Sequence, residues 1–77
     1  MNNEYADDML RARYFLNTHS EDTKLVIFLT SLAKSEKTHS EKWSDVYDFI
    51  MINYPNYNNI ITGLVYLIEN KDIWEYI

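Results

Sequence analysis

The chain has 77 residues and no cysteine. That excludes disulfide frameworks, thiolate zinc sites, iron–sulfur clusters and cysteine nucleophiles together. A secreted domain this small more often carries disulfides, so the composition points to the cytoplasm. A single glycine and a single proline supply few of the tight turns that all-β sandwiches and barrels require. With Gly63 alone, neither a glycine-rich phosphate loop nor a G-x-S-x-G nucleophile elbow can be built. Basic residues are scarce: seven Lys and Arg against twelve Asp and Glu give a net charge of -5. Such a balance disfavours direct binding to nucleic acid or to an anionic membrane surface. The longest apolar run, residues 25–29, is far too short to span a bilayer. The N-terminus, Met1-Asn2-Asn3-Glu4-Tyr5, has no basic region ahead of an apolar core and does not read as a signal peptide.

Hydrophobic residues make up 47% of the chain and aromatics 16%, which argues against disorder. The apolar residues recur at helical spacing. Over residues 4–17, Tyr5, Met9, Ala12 and Leu16 form one stripe, with Leu10 and Tyr14 opposite it. Thr18-His19-Ser20-Glu21 has the spacing of a capping box, in which a hydroxyl and a carboxylate satisfy each other's backbone N–H groups. It predicts a second helix to about Lys34, with Leu25, Phe28, Leu29 and Leu32 inward, widened by Val26 and Ala33, and Ile27 outward. Thr38-His39-Ser40-Glu41 repeats the box twenty positions on, but the residues that follow do not repeat, so the two copies read as two helix starts. The third helix, residues 41–53, presents Trp43, Val46, Tyr47 and Ile50 as its core stripe, continued by Tyr54, and stops before Pro55. Residues 56–59 form a turn. A fourth helix, residues 59–70, buries Ile60, Ile61, Leu64, Val65, Leu67 and Ile68, and Asp72 caps a last turn with Ile73, Trp74 and Ile77. The sequence therefore predicts an all-α fold over residues 1–77, a compact antiparallel bundle of four short helices plus a C-terminal helical turn.

No catalytic constellation accompanies this pattern. Asp45 and Asp48 share a helix face, but acid–base chemistry needs carboxylates in a partly dry, concave site. A chain of this length buries only about 60–65% of its unfolded surface, which leaves little interior for such a site. His19 and His39 fall in equivalent cap positions without a metal-binding spacing, and read as polar cap residues. The third helix carries Lys42 against Glu41, Asp45 and Asp48, which is the wrong sign for a DNA-recognition helix. The sequence implies no enzyme activity, no cofactor and no metal.

What is over-represented is aromatic surface. Seven tyrosines and two tryptophans are many for this length, and aromatics outside a core are enriched where proteins bind. Tyr14, Tyr57 and Tyr66 fall off the predicted inner faces. On the third helix, Phe49 and Ile52 fall opposite the Trp43 stripe, flanked by Asp45 and Asp48. Between Trp43 and Asn70 there is no Lys or Arg at all, so the acidity is concentrated in the second half. Apolar anchors among carboxylates suit a basic partner, because the apolar atoms supply affinity and the charges speed and orient association. The expected partner-binding residues are Asp45, Asp48, Phe49 and Ile52, joined by Tyr66 and Glu69 of the fourth helix.

In size, acidity and helical character the chain resembles the immunity proteins of nuclease toxins. Tyr54-Pro55 before a helix matches part of their tyrosine-rich segment, while Asn53 stands where that family has a second tyrosine. The resemblance implies a non-enzymatic protein that occludes a basic surface of a toxin, nuclease or nucleic-acid-binding complex. A phage-encoded inhibitor of host defence has the same profile. The alternative is a small structural or regulatory homo-oligomer whose outward apolar residues pair across a two-fold axis.

Overall fold

The computed structural model describes residues 6–77. Glu4 and Tyr5, the start of the predicted first stripe, lie outside the described residues. Four α-helices follow one another: α1 Ala6–Thr18, α2 Thr23–Lys34, α3 His39–Asn53 and α4 Ile61–Glu69. A 3₁₀ segment, Pro55–Ile60, joins α3 to α4, and a 3₁₀ turn, Asp72–Glu75, follows α4. No strand occurs among the described residues. The fold is the predicted small all-α bundle.

Its centre is α4. Ile61, Gly63, Leu64, Val65, Leu67 and Ile68 are all buried, so this short helix is apolar on nearly every side, as a helix surrounded by neighbours must be. It packs against α1, α3 and α2. Gly63 marks the tightest approach. A Cβ placed there would sit on the Asp8 carbonyl and 2.9 Å from the Met9 backbone nitrogen, so the α1 and α4 backbones meet where only a hydrogen fits. From α1 come Ala12, Phe15 and Leu16, from α2 Leu25, Leu29, Leu32 and Ala33, and from α3 Val46 and Ile50. Phe15 was not on the predicted stripe. Lying one position before Leu16, it widens the buried arc of α1, and its ring meets Tyr54 edge-on at 5.2 Å and Tyr57 at 4.9 Å. Tyr57, predicted to project away, is half-buried against the core.

The two predicted caps part company. Thr38 forms the full box: its hydroxyl accepts from the Glu41 N–H at 3.3 Å, and the Glu41 carboxylate accepts from the Thr38 N–H at 2.9 Å. This carboxylate is held below the usual range, chiefly by the Thr38 backbone N–H. Thr18 is not a cap. The first helix runs through it, and its hydroxyl donates to the Tyr14 carbonyl at 2.8 Å, as threonines inside helices do. Asp22 caps α2 instead: one carboxylate oxygen accepts from the Lys24 N–H at 3.1 Å, and the other accepts from the Tyr54 hydroxyl. A carboxylate at a helix N-terminus also meets the positive end of the dipole, which a hydroxyl does not. At the other end of α2, the Lys71 ammonium donates to the Ala33 carbonyl at 3.0 Å. Lys71 itself is in the left-handed region, φ 68°, where the chain turns off α4. Asp72 makes no cap bond; it faces Arg13 of α1 at 3.9 Å.

Candidate protein-binding surfaces

Only Val46 and Ile50 of α3 are fully buried, so α3 meets the core along a narrow edge and leaves two flanks. The predicted core residues Trp43 and Tyr47 stand on one of them and are 36% and 43% exposed. This corrects the stripe read from spacing: the buried arc is centred between Val46 and Ile50, and the two large rings fall at its margin. Their planes lie within 18° of each other at 5.5 Å, an offset stack. Arg11 of α1 and Asn59 of the 3₁₀ segment line the groove beside them. The Arg11 guanidinium is fixed by the Asp8 carboxylate and reaches the Asn59 carbonyl at 3.5 Å. A second groove shares Arg11 and Asn59 and is bordered by Leu10 and Tyr14, 61% and 70% exposed. Leu10, Arg11, Tyr14, Trp43 and Tyr47 thus form one surface across α1 and α3. Leu10 and Tyr14 were legible as off-stripe residues. Arg11 carried no signal of its own, and Trp43 and Tyr47 were masked by their helical spacing.

The other flank faces α2. Here Phe49 is not a free outward ring: it stacks on Phe28 at 4.1 Å with planes 5° apart, and both are half-buried. Phe28 is accordingly a bridge between helices rather than a core residue. Outside this pair, Ile27 and Ile52 are 61% and 77% exposed. Asp48 is exposed and makes no ion pair among the described residues. The sequence suggested an acidic patch without bases, but the fold brings one in from before α3. Lys37 pairs with Asp45, and that carboxylate raises the lysine's pKa. Lys24 lies 5.8 Å from the Tyr54 ring.

Tyr66 and Glu69 do not join Ile52. Glu69 accepts a 2.7 Å bond from His39 Nδ1, and the Tyr66 ring lies 6.1 Å from that imidazole. This is the first turn of α3, more than three turns from Ile52. His19 lies elsewhere, its Nδ1 2.9 Å from the Phe15 carbonyl and its ring against Phe15, Tyr54 and Tyr57. No three His, Asp or Glu side chains converge as metal ligands among the described residues. No helix there is long and apolar enough to cross a membrane. Comparison with family models, with curated proteins and with solved structures gives no match.

Proposed function

We propose that the chain is a non-enzymatic, protein-binding inhibitor that covers a basic surface of its partner. The observation that carries this reading is the exposed Trp43–Tyr47 stack beside the anchored Arg11. Trp, Tyr and Arg are the residues that most often dominate binding energy, and two rings held on one rigid helix lose little freedom on binding. Leu10 and Tyr14 extend the same surface over α1. The net charge of -5 draws a basic partner and hastens the encounter, a rate effect that salt weakens. A toxin, a nuclease or a nucleic-acid-binding complex presents such a surface, so immunity to a toxin and interference with a host defence are two forms of one physical role. The cysteine-free composition suits the cytoplasm.

Paired affinity captures test the proposal, one with the wild-type chain and one with Trp43→Ala/Tyr47→Ala, from cells that produce the protein. A basic protein retained by the wild type, released by salt and lost with the variant is the expected result. Equal recovery on both baits, with the variant folded by circular dichroism, rejects this surface as the site.

A further inference from the structure

The face shared by α2 and α3 carries charges of opposite sign on its two helices. On α2, Lys24, Ile27, Ser31 and Lys34 are all exposed, and their spacings of three and four put them on one side of the helix. On α3, Asp45, Asp48 and Ile52 line the outer side by the same spacing. The two helices run antiparallel, and three contacts fix their register: Lys24 beside Tyr54, Phe28 on Phe49, and Lys37, just past the end of α2, on Asp45. Ile27 therefore stands level with the turn from Asp48 to Ile52, and Lys34 stands level with the first half of α3. The lysines of α2 and the aspartates of α3 form two parallel stripes, with an exposed isoleucine in each, the Lys37–Asp45 pair bridging one end and the Phe28–Phe49 stack as the floor between them.

This pattern is self-complementary. A two-fold axis lying in the face, parallel to the helices and midway between them, carries α2 of one copy over α3 of the other, and the reverse, while keeping the levels unchanged. Each lysine stripe then meets an aspartate stripe, with Lys34 over the Asp45 end, where Lys37 of the same chain also sits, and Asp48 between the levels of Lys24 and Lys34. Each Ile27 meets the Asp48–Ile52 turn of the other copy. A two-fold contact requires this kind of reciprocity, and a uniformly basic or uniformly acidic partner would meet like charge on one of the two stripes. We infer that the α2–α3 face is a homodimer interface, occupied by a second copy of this chain. This goes beyond the proposed inhibitory role and uses a face separate from the Trp43–Tyr47 surface.

The test uses two charge-reversed forms of the full chain, Lys24→Glu/Lys34→Glu and Asp45→Lys/Asp48→Lys, with molar mass measured across a concentration series by sedimentation equilibrium. The wild type is expected to dimerise, more weakly at high salt. Either reversed form alone sets like charge against like on both stripes, and is expected to dissociate at least about tenfold more readily, about 1.4 kcal/mol. Mixing the two forms restores opposite signs on both stripes, so the heterodimer is expected to return to near wild-type affinity. That rescue also shows that both forms are folded. A wild type that stays monomeric up to high concentration overturns the inference. So does a dimer that persists equally in both reversed forms, which would place the contact elsewhere. A mixture no tighter than its components, with both forms folded by circular dichroism, overturns it as well.

Discussion

On the α2 side of α3 the rings turn inward. Phe28 and Phe49 close on each other, and aliphatic and charged groups are left outside. On the α1 side the rings stay out, and the core is closed beneath them by Val46 and Ile50 alone. One helix thus carries a charge-patterned flank and an aromatic flank. Burial of an aromatic and its availability for binding are alternatives at each position, and the partner helix decides between them. Where α2 offers Phe28, the ring on α3 is absorbed. Where α1 offers Arg11, already held by Asp8, no α1 ring among the described residues closes over Trp43, which stays 36% exposed.

The sharpest way to break this comparison is to truncate one ring of each kind. Phe15 is fully buried among Tyr54, Tyr57 and His19, and Phe15→Ala is expected to cost about 3–5 kcal/mol, a large share of a small domain's whole stability. Trp43→Ala removes a larger ring that is only partly covered on this flank, and is expected to cost less, about 1–2 kcal/mol. Thermal melts of both variants decide the matter. A Trp43→Ala melt that falls as far as that of Phe15→Ala would put Trp43 back in the core.

A smaller effect separates the two helix starts. Asp22→Ala is expected to cost about 1 kcal/mol through loss of the α2 cap, whereas Thr18→Ala should stay within about 0.5 kcal/mol. Denaturant midpoints measure both, and the reverse order would restore the cap to Thr18. The smallest effect lies at the start of α3. The Glu41 carboxyl is held below its ordinary pKa in the folded chain, first by the Thr38 N–H, so its contribution is present above the unfolded value and lost as pH falls through the folded one. Glu41→Gln should therefore melt below the wild type at neutral pH, and the gap should close in acid. A gap that widens in acid would contradict the sign.

Much of the fold was legible because helical spacing reports burial directly. The apolar run of α4 and the Leu25–Leu29–Leu32 face lie where periodicity put them. What spacing does not report is how wide a buried arc is. Trp43, Val46, Tyr47 and Ile50 share a stripe in sequence, yet only the central pair reaches the core. Nor does it show what arrives from elsewhere in the chain: Lys37 reaching Asp45, His39 reaching Glu69, and the Tyr54 hydroxyl reaching Asp22. The capping box at Thr18 failed for a related reason, since four residues cannot reveal that the preceding helix extends as far as Thr18 and that α2 starts only after Asp22. Four of the six expected binding residues lie on α3, and spacing along one helix could not show that Tyr66 and Glu69 of α4 meet its first turn, at His39.

The close meeting of α1 and α4 at Gly63 also sets an order of events in time. The helix α1 leaves the ribosome well before α4, its main packing partner. Until α4 is synthesised, Phe15, Leu16, Leu25 and Leu29 have no central helix to cover them, so these side chains stay open while α2, α3 and the 3₁₀ segment are being made. Closing the longest loop comes last, and contacts distant in sequence slow folding. A nascent chain arrested before residue 61 should therefore be digested by protease throughout. Protection should arrive in one step once α4 is free, rather than helix by helix.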